Sequence, residues 1–166
     1  MKRIFVIAVA VGVGLWWNLV GGRTITEANV HDYYRSQIEA TLQRQPEGLC
    51  DLLSEEFQLD MKIFTSRGTM QVSRNKQEMC HDFTRTYAAI QDFGDRMGGI
   101  AQLDYSLHTD DIQIADDRKS VTIEASYTFD VAGSRMTGTT TDTLIRRNGK
   151  TLLLRRTGVE SMKGGA

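Results

Sequence analysis

Side chains that could move a proton are few in this sequence, and they are scattered. Tyr105, His108, Asp110 and Asp111 crowd one extended stretch. A histidine beside a carboxylate in a dry pocket can act as a general base, because burial and a neighbouring charge bring its pKa close to neutrality. Alternation along a strand, however, turns His108 away from Tyr105, and residues 109–111 read as a solvent-side bulge. We therefore expect His108 at the surface or at a sheet edge.

Two further histidines fall on predicted helices. His31 and Tyr34 lie three positions apart and therefore on one side of the first helix, where Tyr34 is typical of a core and His31 of a boundary position. His81 and Asp82 are adjacent, about 100° apart around a helix, and form no dyad by themselves. The sequence does not place any catalytic set of side chains together. The weak catalytic candidates are His31, Tyr34, Tyr105 and Asp142.

Other kinds of site lack their signatures. The three histidines sit on separate elements without ligand spacing, so we predict no metal site. Neither a glycine-rich phosphate loop nor a serine nucleophile elbow occurs, and we predict no cofactor. Setting aside Lys2 and Arg3 leaves 18 basic residues against 21 acidic ones, which argues against nucleic-acid binding.

The element that must position these candidates is the last third of the chain, residues 102–162. It reads as four extended segments separated by short polar breaks at residues 116–119, 132–134 and 148–149. The break at Asn148-Gly149 is the strongest, because a type I′ turn needs positive φ at both central residues.

The second of these segments alternates with a period of two. Its even-numbered residues from Thr122 to Asp130 are polar, whereas its odd-numbered residues are apolar or small. One apolar face indicates an antiparallel sheet that is covered on one side only. The covered residues are Val121, Ile123, Ala125, Tyr127, Phe129 and Val131.

Helices earlier in the chain can supply the cover. A capping box formed by Thr24 and Glu27 predicts a first helix to about Gln45. Pro46 suits the first turn of a second helix, through Leu53. The predicted inner face of the first helix, at steps of four residues, consists of Val30, Tyr34, Ile38 and Leu42.

A short hairpin and a third helix follow. Residues 57–64 alternate as a strand, and residues 69–72 form its return. Ser73 is expected to cap the third helix, and Gly94 to end it.

Two polar clusters in the last strands have either a purely structural role or a functional one. Five threonines between Thr137 and Thr143 suit a solvated sheet face, or a face that packs on another subunit. The doublets Arg146-Arg147 and Arg155-Arg156 place one arginine on each face. They could contact an anion or pair with Asp142 and Glu124, and we expect surface ion pairs.

Cys50 and Cys80 are the only cysteines, and both lie on predicted helices that should pack together. In an oxidising compartment we expect a disulfide, which would stabilise by roughly 3–4 kcal/mol. Two buried free thiols are the alternative.

The first 22 residues predict export. A basic head, Met1-Lys2-Arg3, precedes an apolar run over residues 4–20 that only Asn18 interrupts. Trp16 and Trp17 near its outer end favour a retained membrane anchor, whereas cleavage near Gly22 would release the rest. We expect a single-pass bacterial inner-membrane protein, or else a secreted periplasmic one, with an anchor at 1–22, a domain at 23–162 and a frayed tail at 163–166.

The order of elements resembles that of the nuclear transport factor 2-like superfamily. Two stretches carry the resemblance. In the first, residues 57–72 are followed by the helix that begins at Ser73, and in the second, residues 107–119 are followed by residues 120–131. This α+β cone fold is shared with ketosteroid isomerases, scytalone dehydratase and SnoaL-type cyclases, and the resemblance spans residues 24–161. It implies three N-terminal helices packed on a strongly curved antiparallel sheet, after one apolar N-terminal helix. A cystatin-like helix-on-sheet layer is the alternative fold.

The resemblance also implies a pocket between the helices and the concave face of the sheet. The residues expected there are Tyr34, Ile38, Phe83, Tyr87, Tyr127 and Phe129. Members often dimerise through the outer sheet face.

Two functions follow. The first is a non-catalytic binding or assembly subunit of a larger envelope complex, with other membrane proteins, a second copy or a small hydrophobic ligand as partner. The second is an exported isomerase, dehydratase or cyclase that uses the pocket. A deep cavity that holds an ionisable pair within hydrogen-bond reach favours the enzyme, and a plugged one favours the assembly subunit.

Overall fold

The structure is a computed structural model that describes residues 22–99, 102–131 and 133–163. The expected apolar helix over residues 4–20 and the last three residues lie outside the described part. No helix within that part is long and apolar enough to span a membrane.

Three helices and six strands make up the described residues. Helix α1 precedes the short helix α2, and helix α3 separates the first two strands from the last four. The helices are α1 Glu27–Leu42, α2 Pro46–Asp51 and α3 Lys76–Arg96. The strands are β1 Leu53–Thr65, β2 Gly68–Asn75, β3 Leu103–Ile114, β4 Ser120–Val131, β5 Ser134–Arg147 and β6 Lys150–Lys163.

The six strands form one sheet in the order β2-β1-β6-β5-β4-β3. Strands β3 to β6 form the expected antiparallel meander, with breaks at the predicted positions. Strand β1, however, pairs with β6 in parallel, so the prediction of a wholly antiparallel sheet is wrong. Alternation within a strand shows which face is buried, but it does not show which strand lies alongside.

Helix ends differ from the prediction in their capping residues. Thr26, with Asn29 at the third helical position, caps α1, and Thr24 does not. Asn75 caps α3 with Glu78, two residues later than predicted. Each observed cap is as good as the predicted one, because threonine replaces threonine in α1 and asparagine caps about as well as serine in α3, so several starts were compatible with the sequence.

The third helix also continues through Gly94 to Arg96, and Gly94 is buried. The prediction that this glycine ends the helix is therefore wrong.

Helix α1 buries a face that is not purely apolar. Val30 and Tyr34 are buried as predicted, but Leu42 is 45% exposed. The polar side chains of Gln37 and Thr41 are buried in its place. Buried polar groups need hydrogen-bond partners. Gln37 finds them in Tyr105 and Arg156.

The main core lies between α1 and the inner face of the sheet. Its fully buried members include Ile25, Ile123, Leu144 and Leu153. Ile25 precedes α1 and donates its N–H to the carbonyl of Arg118, in the turn between β3 and β4. The chain entering the domain is therefore attached to the sheet before the first helix begins.

Helices α2 and α3 are joined at the predicted cysteines. Cys50 and Cys80 lie at disulfide distance, with their Cα atoms 5.3 Å apart. The pair lies at the start of α3 and fixes that end of the helix beside α2.

Candidate functional site

A cavity of about 420 Å³ lies between the inner face of the sheet and helices α1 and α3. Its volume falls within the range of about 300–1,000 Å³ that is usual for small-molecule sites. Most of its wall is apolar, and all three helices and all six strands of the described residues contribute to it. Representative members of this wall are Leu59, Met61, Phe83, Phe129, Met136 and Leu153.

Two glycines in β5 and β6 allow close contacts within the sheet. A Cβ on Gly158 of β6 would overlap the backbone carbonyl of Thr139 in the neighbouring strand. A Cβ on Gly138 of β5 would overlap the ring of Tyr127, which lies across that glycine. Glycine at these two positions therefore allows the two close approaches.

One wall carries a buried ion pair. Arg156 of β6 and Asp142 of β5 lie directly opposite each other in the antiparallel ladder. The Arg156 guanidinium donates to both carboxylate oxygens, from Nε to Oδ1 at 2.8 Å and from Nη2 to Oδ2 at 2.6 Å. Asp142 is completely buried, whereas the side chain of Arg156 is 20% exposed and lines the cavity. Two-point pairing of this kind holds both groups in place.

Helix α1 is bound to this ion pair by hydrogen bonds. The Tyr34 hydroxyl donates to Asp142 Oδ2 at 2.9 Å. Gln37 accepts from Arg156 at 3.3 Å and donates from Nε2 to the Tyr105 hydroxyl at 3.1 Å. The polar wall is therefore one connected network from the helix to strand β3.

Burial and charge shift the pKa values of this network. Burial raises the pKa of Tyr105 to about 12, with Arg156 opposing the rise and Asp142 adding to it. Burial and the Asp142 charge raise the pKa of Tyr34 well above its ordinary value. Burial alone would lower the pKa of Arg156, but the charge and hydrogen bonds of Asp142 outweigh it and raise that pKa. These tyrosines stay neutral and the arginine stays charged at any physiological pH.

A second polar pair lies further along the inner face. The Tyr127 hydroxyl donates to Glu160 Oε2 across Gly138, which separates the two in the sheet. Burial and the Glu160 carboxylate raise the pKa of Tyr127. Both side chains line the cavity and are only partly buried, so a bound molecule can reach them.

A third pair stands at the cavity edge on β2 and α3. Arg74 Nε donates to Asp82 Oδ2 at 2.8 Å, and both side chains are more than a third exposed. An exposed pair of this kind contributes little to stability, because water screens its charges.

The four predicted catalytic candidates lie in different places. Tyr105 lines the cavity, whereas Tyr34 and Asp142 lie behind Arg156 and support it. His31 is exposed on α1, outside the cavity. His108 is 81% exposed on the outer face, and the sheet register breaks between Thr109 and Asp111 beside it.

The predicted pocket residues divide similarly. Phe83, Tyr87, Tyr127 and Phe129 line the cavity. Ile38 lies with His31 on the outer side of α1. Tyr34 packs in the core instead of lining the cavity.

Arg74, Arg156 and Glu160 line the cavity but were not among the predicted pocket residues, although pairing of the arginine doublets with Asp142 was one of the alternatives. Arg147 and Arg155 do form surface ion pairs, with Glu56 and Asp60. Arg156, by contrast, is directed inward. The signal that could have found Glu160 is its separation of four from Arg156 on one strand, which places both on the same face.

The described ranges contain no group of three or more histidine, cysteine or carboxylate side chains that could hold a metal ion.

Comparisons with known proteins find proteins of similar fold, but none of similar sequence. No protein-family model matches the chain, and no curated protein matches it in sequence. A conserved protein from Planctomyces limnophilus has a similar solved structure, with a TM-score of 0.61, 14% identity, and coverage of 82% of this chain and 97% of that one.

Two other solved structures extend the likeness. A hexachlorocyclohexane dehydrochlorinase of type 2 matches with a TM-score of 0.56 and 11% identity, over 84% of this chain and 88% of the enzyme. A nuclear transport factor 2-like protein from Shewanella oneidensis matches with a TM-score of 0.52 and 11% identity, over 81% of this chain and 99% of that one. The described residues therefore have the α+β cone fold of the nuclear transport factor 2-like and cystatin-like proteins. At such low identities the likeness concerns the fold alone.

Proposed function

We propose that this chain binds a small, largely apolar ligand in the cone cavity, as a non-catalytic subunit held at the outer side of a bacterial inner membrane. The observation that carries the binding role is an open cavity of about 420 Å³ with apolar walls and a few directed polar groups. Apolar contact supplies affinity, at roughly 25 cal/mol for each Å² removed from water, and the polar groups orient the ligand.

The non-catalytic part of the proposal comes from how the charges are used. Arg156 and Asp142 satisfy each other, and Asp142 also accepts from Tyr34. A carboxylate engaged in this way is not available to take a proton from a ligand. The network positions helix α1 and forms a polar wall, which is what a binding site requires.

A neutral fluorescent probe tests the binding role. We expect Nile red to bind the purified domain saturably, with a blue shift in its emission. Met136→Trp should fill the cavity and abolish this binding. Thr137→Trp is the matched control, because the neighbouring residue is exposed on the other face of β5. Equal loss in both variants, or no saturable binding to the unmodified domain, would overturn the binding role.

The location rests on the leader and the cysteines. A basic head before the apolar run of residues 4–20, together with a cysteine pair at disulfide distance, fits an exported and anchored domain. We expect the chain to remain in the membrane fraction after a carbonate wash, with its first residues intact by mass spectrometry. A soluble chain that begins near residue 23 would show the cleaved form instead.

A second function is favoured by one specific observation, the Tyr127–Glu160 pair at the cavity wall. A partly buried carboxylate beside a tyrosine can remove a proton next to a carbonyl group and return it elsewhere, as an isomerase or dehydratase requires. One solved structure of this fold is a dehydrochlorinase. Proton exchange of a cyclic ketone in deuterium oxide tests this role. Exchange that Glu160→Gln abolishes without loss of Nile red binding would support the enzyme.

A further inference from the structure

Among the described residues, four charged side chains line the cavity, and three of them have an oppositely charged partner. They are Arg74, Asp82, Arg156 and Glu160. Arg74 and Asp82 pair with each other at the edge of the cavity. Arg156 is neutralised by Asp142, which lies behind it in the core.

Glu160 is the exception. No cation within the described ranges forms an ion pair with it, and its hydrogen-bond donor is the neutral hydroxyl of Tyr127. Summed over the lining residues and Asp142, the cavity therefore carries one uncompensated negative charge, located at Glu160. A carboxylate in a partly dry site interacts most favourably with a cation.

A row of aromatic rings begins at this carboxylate with Tyr127, whose hydroxyl bonds to Glu160. The ring centroid of Tyr105 lies 6.4 Å from that of Tyr127 and 6.2 Å from that of Phe129. All three rings line the cavity. Aromatic faces attract organic cations because their quadrupoles are negative at the face, and a carboxylate nearby adds to this attraction.

We infer that the ligand is an apolar molecule with a protonated amine, whose ammonium group lies at Glu160 against the rings of Tyr127, Tyr105 and Phe129. This inference rests on the proposed binding function and names its ligand class. An apolar carboxylic acid is disfavoured. The charge of Glu160 would repel its carboxylate, and the guanidinium of Arg156 in the cavity wall is already engaged by Asp142.

Displacement of Nile red by three compounds with the same alkyl chain tests the ligand class. These compounds are decylamine and decanoate, each used below its micellar concentration, and decanol, used below its solubility limit, all at neutral pH. We expect decylamine to displace the probe at about one tenth of the decanol concentration, since a charge-assisted hydrogen bond is about twice as strong as a neutral one. Decanoate should be the weakest of the three.

Glu160→Gln isolates the charge, because the amide keeps the shape and can still accept from Tyr127. We expect this variant to bind decylamine and decanol with equal affinity, a loss of about tenfold for the amine alone. Glu124→Gln is the matched control, because Glu124 is exposed on the outer face of β4 and its loss changes the net charge equally. The control should keep the preference for the amine.

The two proposals fail in different ways. If Nile red does not bind the unmodified domain, the binding function itself falls. If Nile red binds but the three compounds displace it equally, or if Glu160→Gln keeps the preference for the amine, the ligand class is wrong and the binding function stands. The ranking in the unmodified protein needs no variant, so it decides the question even if Glu160→Gln does not fold.

Discussion

The two charges of Arg156 and Asp142 face each other across β6 and β5, joined by hydrogen bonds of 2.8 and 2.6 Å. Asp142 has no exposed surface, and Arg156 separates it from the cavity. Because Tyr34 and Gln37 of α1 bond to the same pair, it also attaches the helix to the sheet. The pair is therefore both a structural tie and the polar wall of the candidate site.

Removing the acid of this pair should destabilise the domain strongly. Asp142→Ala leaves the Arg156 charge without its partner in a largely buried position, and we expect a loss of about 3–5 kcal/mol in the free energy of unfolding. Urea denaturation followed by circular dichroism measures it.

The matched control for this variant is Asp130→Ala. Asp130 receives two hydrogen bonds from Arg135, but this pair lies at the surface. Its loss should change the free energy of unfolding far less than the loss of Asp142, because water screens an exposed pair. Equal losses in the two variants would show that the burial of Asp142 has no energetic consequence.

The cysteine pair should contribute to stability through the unfolded chain. A bridge between residues separated by 30 positions restricts the unfolded ensemble, so Cys50→Ser with Cys80→Ser should reduce the free energy of unfolding by roughly 3–4 kcal/mol. Alkylation of the native protein before reduction, followed by mass measurement, should find no reactive thiol. Two alkylated cysteines would contradict the bridge.

Alkaline titration should show cooperative ionisation of the tyrosines. Burial raises the pKa of every tyrosine of the chain above the ordinary value of 10.0, to about 12 for Tyr105. The five are Tyr33, Tyr34, Tyr87, Tyr105 and Tyr127. A pKa raised in the folded state means that the unfolded chain loses its protons first. The stabilisation is therefore complete below pH 10 and is lost as the pH rises toward the folded values.

Near-ultraviolet absorbance of tyrosinate measures this titration. We expect little ionisation at pH 10 and then a steep rise that coincides with loss of the circular dichroism signal. A gradual titration centred on pH 10, with the native signal intact, would show that the tyrosines are accessible to solvent.

Ile25 should be part of the folding domain although it precedes the first helix. Its side chain is fully buried and its N–H bonds to Arg118, so Ile25→Ala should reduce the free energy of unfolding by about 2–5 kcal/mol. Leu42→Ala removes a leucine that is 45% exposed, and its effect should stay within about 0.5 kcal/mol. A small effect at Ile25 would place the start of the domain at α1.

Local sequence patterns predicted those elements whose position depends only on a few neighbouring residues. The meander breaks at residues 116–119 and 148–149 were found because turn residues act within their own four positions. The inward face of β4 was found because Val121, Ile123 and Ala125 alternate without a bulge. Helix caps were placed two residues too early, since several neighbouring residues have the same capping chemistry.

The candidate site was less predictable, and Arg156 shows why. Strict alternation from the buried Leu153 would direct Arg156 to the outer face. The register between β5 and β6 shifts between Thr143 and Leu144, which leaves Leu154 as an extra residue and turns Arg156 inward. One unpaired residue thus decides which arginine of the doublet enters the cavity.

By itself, the sequence determined that a half-covered sheet follows amphipathic helices, because hydrophobic periodicity and turn chemistry are local properties. It also determined which two cysteines can meet. Only the tertiary structure decided that β1 runs parallel to β6, that Asp142 is buried behind Arg156, and that Glu160 bonds to the neutral hydroxyl of Tyr127. These outcomes depend on the register and packing of strands far apart in the chain, and a contact between distant residues has no signature in either segment alone.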